Sequence, residues 1–510
     1  MNRGIAKIAR HAVLTGLVAV TALAVAAGTM TSPVSAAARP DRDLEERLRA
    51  HIRILASDEF EGRAPGTPGE AKTLRYLGRQ WFEMGLISGT NDPGNEWFAP
   101  VTLVAREPAE YAAGFARRGR RVAVPMQDVL VLTSGKRTML RDAPLLFVGE
   151  AKGREFTRNE LAGRVAVLLD SGWRGDDPAS SERQNALLAQ GASAVLTVLD
   201  GRRTLEQVSA RRKRSGYALA GDSLGGDLEA FITADAMALL LKGSGHSLEE
   251  LGRVAADPSF APVPLDLSVT LEATTRETTI RTHNLIGKLP GKRPEMGAVL
   301  LVAHWDHFGV CAAPPAEDTV CNGAIDNASG VAGLTEIARR LAQGGQLDRD
   351  VYFLATTAEE LGLLGAHAFA ENPPLPPAQI VAAFNIDSIA VAPRGTPFAI
   401  VGRGMTGLDT EIEKVARAEK VRIVPGVEAN EYVKRQDGWA LHQHDIPTVM
   451  VTTAYGDIDR MRAFFDGPYH RPGDDLDQTL ELGGAAADVR MLTALVRWFG
   501  DARKVPLIAR

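Results

Sequence analysis

Strand-like and helix-like segments take turns from Thr282 to the C-terminus, and that alternation predicts an α/β protein. The expected architecture is a doubly wound, mostly parallel sheet with helices on both faces. A different texture lies upstream, between about Val124 and Leu265, where short apolar runs are broken by loops. It predicts a small β-rich domain inserted into the first. A chain of 510 residues is also too long for one ordinary core, so two or three domains are expected.

The N-terminus reads as a targeting segment. Arg3, Lys7 and Arg10 precede an apolar stretch from Ala12 to about Ala27, and Val34-Ser35-Ala36 supplies the small residues of a cleavage site. Residues 1–36 are therefore expected to be a signal peptide, with export to a periplasm or the medium and no membrane attachment after cleavage. Its removal would take the formal charge from −5 to −8, since it carries three basic and no acidic residues. That balance, with an isoelectric point near 6.1, excludes an electrostatic case for nucleic acid. The basic runs Arg117–Arg121 and Arg211–Arg214 are expected to be solvated surface.

Residues 37–123 form the first part of the main domain. Leu44, Leu48, Ile52 and Leu55 recur at helical spacing, and the run SDEFEGRAPGTPGE that follows is a loop by its prolines and glycines. A second amphipathic helix runs from about Glu70 to Met84 and stops at Gly85. The insert, 124–265, offers strands at Pro144–Val148, Val165–Leu169 and Ala194–Val198, with a helix near Glu182–Gln190. From 266 to 510 the strands are Val299–Ala303, Val351–Thr356, Ile380–Ile386, Phe398–Val401 and Thr448–Thr452. The helices between and after them are Ala328–Leu341, Gly365–Ala370, Thr410–Ala418 and Ala485–Phe499. The only two cysteines, Cys311 and Cys321, are ten apart in a Pro-rich loop, and in an exported chain a disulfide is expected.

Metal-competent side chains gather at the carboxyl ends of these strands, where open α/β sheets bind ligands, with Asp326 ahead of a helix and His470 in a Pro/Gly-flanked loop. They are His304, Asp326, Glu360, Asp387 and His470, a mix suited to a pair of borderline divalent ions. A carboxylate such as Asp326 has two oxygens and can bridge two ions; alone, it would read as a helix N-cap. Asp306, two residues past His304, is placed to orient that imidazole, and His307 reads as a bystander. Glu359 and Glu360 are adjacent at the end of a buried strand, where two acids are costly unless cations neutralise them. One can ligate while the other moves protons, so the reaction class is metal-assisted hydrolysis.

The stretches HWD, DNASG, AEELGLLG, NID and YHRPGD, with THNLIG and LASDEFEGRAPGTPGE upstream, resemble the co-catalytic zinc aminopeptidase family of secreted metallopeptidases. That family also includes glutamate carboxypeptidases and glutaminyl cyclases. The insert's LAGRVAVLL and ALLAQGASAVLTV are similar to a protease-associated domain. The resemblance implies two zinc ions bridged by Asp326, with His304 and Asp387 on one and Glu360 and His470 on the other. Glu359 would be general base and acid, acting on peptides with a free N-terminus. One departure stands out: relatives carry Arg-Ser-Asp-His where this chain has Arg435-Gln436-Asp437-Gly438. His442 or His444 could compensate, or lie on the surface. A carboxypeptidase or dipeptidase would need a basic clamp, for which Arg403 and Arg435 are candidates. A glutaminyl cyclase would use a single zinc, and a non-catalytic binding protein would be expected to lose ligands or the base.

Overall fold

The computed structural model describes residues 41–507, apart from 95, 153, 171–177, 223–225 and 258. The expected signal segment lies outside the described residues.

Four parallel strands make the centre of the C-terminal half. In space they run Asp350–Thr356, Ala298–His304, Ile380–Asn385 and Thr448–Thr452. The chain visits Ala298–His304 first, steps to Asp350–Thr356 on one side, then returns to Ile380–Asn385 on the other. The winding therefore reverses between Ala298–His304 and Ile380–Asn385, which is where such sheets open a crevice. Antiparallel strands flank this centre: Ala399–Val401 beyond Thr448–Thr452, and the end of Val263–Leu289 beside Asp350–Thr356. The whole sheet is thus mixed.

Both faces are covered because successive side chains point to opposite sides of a strand. Val299, Leu301 and Ala303 join Phe353 and Phe384 in one core, under the helices Arg42–Leu55, Gly330–Ala342 and Leu482–Phe499. Leu300 and Val302 face the other way, towards Phe369 and Leu441 of the helices Leu364–Glu371 and Asp437–Gln443. The first helix shows the logic in miniature. Asp41 caps it by accepting from the Leu44 amide at 3.3 Å, and Leu44, Leu48, Ile52 and Leu55 are all buried. Each such burial stabilises by roughly 1.5–3 kcal/mol.

The largest difference from expectation is a long antiparallel ribbon. Phe98–Arg117 and Val263–Leu289 pair from Phe98 opposite Leu285 to Ala116 opposite Ser268. Polar residues on both faces hide its period, and Pro108 argues against a strand. That proline sits where the register slips between Ala273 and Thr275. There the Thr274 hydroxyl accepts from the Glu110 amide at 3.0 Å, meeting the local loss of ladder bonds.

Beyond the ribbon the sheet continues through Arg137–Gly149, Val165–Leu169, Ala194–Leu199, Leu228–Thr233 and Val129–Thr133. A second core, with Phe115, Phe147, Val165, Leu196, Ile232 and Leu271, belongs to this lobe. Its pairings from Arg137–Gly149 to Leu228–Thr233 are parallel, and the helices Pro178–Ala189, Leu205–Ser215 and Ala234–Leu241 stand among its strands. The lobe is therefore α/β in texture and richer in helix than expected. Leu205–Ser215 is so polar that it gave no apolar period. From the lobe, Tyr217–Leu219 returns to pair with Leu103–Ala105, and Leu219 packs with Ala358 and Leu364. Cys311 and Cys321 are disulfide-bonded, with Cα atoms 5.7 Å apart. Among the described residues no helix is long and apolar enough to cross a membrane.

Candidate metal centre

His304 is the last residue of its strand and Asp387 lies two beyond Asn385, so both stand at the winding reversal. His304 Nε2 is 3.3 Å from Asp326 Oδ1 and 3.7 Å from Asp387 Oδ1. Its Nδ1 meets the backbone carbonyl of Asp306 at 3.2 Å, with the Asp306 carboxylate farther off at 3.8 Å. The nearer partner of the ring is thus the Asp306 backbone carbonyl. The Asp306 carboxylate accepts from the amides of Glu359, at 3.1 Å, and Glu360, at 3.4 Å. It fixes the backbone that carries both acids.

Asp326 is aimed by a tightly tied turn. Gly323 has a φ of 57°, and a Cβ there would collide with the Asp326 carbonyl oxygen, so only glycine fits. Asp474 accepts from the Ile325 and Asp326 amides, at 2.9 Å each. Asn327 then links this turn to the Asp387 loop. Its amide donates to Ile386 O at 3.1 Å, while its oxygen accepts from Ser388 N at 3.2 Å and Gly330 N at 2.9 Å. Ser329 adds a bond from Ile389 N at 3.0 Å. The residues of DNASG other than the acid thus serve to hold two liganding segments together.

The second pole gathers around the other Asp326 oxygen. His470 Nε2 lies 3.3 Å from Asp326 Oδ2 and 3.0 Å from Glu360 Oε2. His307, expected as a bystander, is buried and hydrogen-bonds through Nδ1 to Glu360 Oε1. It stood three residues past His304, a spacing that could have drawn attention to it. Tyr469 was also missed. Its ring stacks on His470 with centroids 3.6 Å apart, and the Arg435 guanidinium lies 5.6 Å from its ring centre.

Two sets of ligand atoms cluster within 4.8 Å of one another: His304, Asp326 and Asp387, and His307, Asp326 and Glu360. The Nε2 atoms of His304, His307 and His470 are buried and form no hydrogen bond among the described residues. Orphaned imidazole nitrogens facing carboxylates are what a cation would satisfy, and imidazole with carboxylate suits zinc. Charge balance points the same way. Burial pushes the Glu359 carboxyl well above the usual carboxylate range, against the pull of His304 and with Glu360 adding to it. Despite burial, His470 and His307 draw Glu360 down to about 2. His470 in turn is pushed up to about 10 by Glu360 and Asp326, although burial opposes it. Carboxylates and imidazoles packed this closely form a donor set whose charge a bound cation would balance.

The departure at 435–438 has a steric explanation. A Cβ on Gly438 would come within 2.8 Å of Gln436 Oε1 and 2.9 Å of Thr448 Cγ2. The larger Gln436 takes up the room a side chain at 438 would need. Asp437, between them, is buried and accepts from the Thr356 hydroxyl. His442 stands against Trp439 and His444 against His367, outside both ligand clusters. Arg403 is engaged by Glu413 at 2.9 Å, and Arg435 lies over the Phe465 ring at 4.8 Å.

Buried imidazoles and carboxylates converging at a sheet's winding reversal define a metal-dependent hydrolase. The stretch 284–494 matches the model of peptidase family M28. All six expected site residues from His304 to His470, and Asp306, fall inside it. The fold is similar to that of the aminopeptidase from Aneurinibacillus sp. strain AM-1, at 18% identity over 88% of this chain and 93% of that one, with a TM-score of 0.52. A zinc aminopeptidase from Bacillus subtilis aligns at 18% identity over 91% and 97%, with a TM-score of 0.45. Glutaminyl cyclase from Porphyromonas gingivalis aligns at 21% over 44% and 78%, with a TM-score of 0.32. No curated protein sequence matches the chain.

Proposed function

We propose that the protein is an exported two-zinc aminopeptidase that removes residues from the free N-termini of peptides. The observation that carries this reading is the placement of Asp326, whose two carboxylate oxygens each face a different imidazole at 3.3 Å. In this reading Asp326 would be shared by two ions, with His304 and Asp387 holding one and Glu360 and His470 the other. His307 then bonds the other Glu360 oxygen, Oε1, through its Nδ1.

Zinc ions bound there would polarise the scissile carbonyl and lower the pKa of a water. Glu359, whose side chain lies 3.9 Å from His304 Nε2, takes the water's proton and returns it to the leaving amine. Asp306 keeps Glu359 in register by holding its amide. Burial, with Asp326 and Glu360, holds the Tyr469 hydroxyl well above the usual phenol range, so it stays protonated beside His470.

Export is supported by the disulfide, a bond of oxidising compartments. Of the two candidate clamps for a carboxypeptidase, Arg403 is paired with Glu413, whereas Arg435 stands over the rings of Phe465 and Tyr469. The contact of Leu219 with Ala358 and Leu364 sets the lobe beside the loop of Glu359 and Glu360, which would limit substrates to short peptides.

Purified protein assayed on peptide pairs tests the direction of attack. N-acetylation is expected to abolish cleavage, and C-terminal amidation to change it little. Amidation blocking while acetylation is tolerated would make this a carboxypeptidase. One zinc per chain with no hydrolysis would point to glutaminyl cyclase chemistry.

A further inference from the structure

The turn Asp58–Arg63, from the N-terminal loop, sends one side chain beneath the metal centre. Arg63 is 1% exposed, and all its hydrogen bonds go to backbone carbonyl oxygens. Nε donates to Trp305 O at 2.8 Å and Nη2 to Gly323 O at 3.0 Å. Nη1 is shared between Leu55 O at 2.7 Å and Asn322 O at 2.6 Å. Trp305 follows His304, and Gly323 opens the turn that aims Asp326. One planar group therefore grips the segments of two expected ligands.

The surroundings hold this group in place. The Arg63 carbonyl accepts from His307 N at 3.4 Å, and Asn322 Nδ2 donates to Asp58 Oδ1 at 2.7 Å. Gly62 presses on the disulfide-closed loop: a Cβ there would strike Cys321 O and lie 2.8 Å from Gly309 Cα. A guanidinium presents its donors in a fixed fork, whereas an ammonium is a point charge on a flexible stem. Only the fork can fix the separation of several carbonyls at once.

We infer that Arg63 is a positioning residue of the metal centre, setting the spacing between the His304 and Asp326 segments. This rests on the reading of those residues as zinc ligands. The test is Arg63→Lys in the full exported chain, with folding followed by circular dichroism. Zinc affinity is read by chelator competition, and ligand geometry by the visible spectrum of cobalt(II)-substituted protein. The variant is expected to fold, to bind zinc roughly 10–100-fold more weakly, as lost support of a ligand typically costs, and to show an altered cobalt spectrum. Wild-type affinity and spectrum in the folded variant would overturn the inference. Should Arg63→Lys not fold, Arg63→Gln is measured instead, since it removes the fork without burying a charge that cannot reach the four carbonyls. Several-fold weaker zinc and a changed spectrum are then expected, and no change would overturn the inference equally. A wild-type protein that binds no zinc would instead sink the functional reading beneath it.

Discussion

Glu359 and Glu360 are neighbours in sequence and opposites in environment. Burial raises the first, while His470 and His307 hold the second down to about 2. Glu359→Gln is expected to keep its zinc and lose about 10²–10⁴-fold in turnover, the usual worth of a general base. Glu360→Gln is expected to lose zinc as well, by metal analysis of the purified protein. Retention of more than about a tenth of the rate in Glu359→Gln would move the base elsewhere. The five ligand candidates and Glu359 were legible because acids and histidines at strand ends stand out against apolar runs. His307, Tyr469 and Asp474 were not, because each acts by touching another residue of the site. Arg63 was the least legible, since nothing in GRAPG distinguishes a buried guanidinium from a surface one.

The helix Gly330–Ala342 does more than follow the Asp326 turn; it also docks the first helix. Glu336, its side chain fully buried, accepts from Arg47 Nε at 2.8 Å and Arg339 Nε at 2.9 Å, and meets His51 Nε2 at 3.2 Å. Although burial opposes ionisation, His51, Arg47 and Arg339 hold Glu336 down to about 2. The folded state thus binds this proton less tightly than the unfolded chain does. The stability it contributes, on the order of 2 kcal/mol, is fully present above about pH 4.5 and is lost as pH falls towards about 2. Glu336→Gln should therefore lower the urea midpoint at pH 7. The gap to wild type should narrow at pH 4. A gap that stays constant down to pH 4 would mean that charge at Glu336 is not what docks the helix.

At the scale of the whole described chain, the alternating strands of the C-terminal half were readable because both their faces are buried. The ribbon was not, because Phe98–Arg117 and Val263–Leu289 alternate burial with one partner for part of their length and another for the rest. Those two strands carry the chain out to the second core and back. Ala105 and Thr278 face each other across the ribbon. A variant with residues 106–277 replaced by an Asn-Gly link, a favoured two-residue hairpin turn, should still fold and bind zinc. It should cleave long peptides about as readily as short ones, by comparing a tripeptide with a twenty-residue peptide. An unfolded product, or unchanged length preference, would show that the lobe is no optional roof. The ribbon thereby becomes a graft junction. Its two strands end about 5 Å apart, so any domain whose own termini lie one strand-spacing from each other could be seated there without disturbing the site.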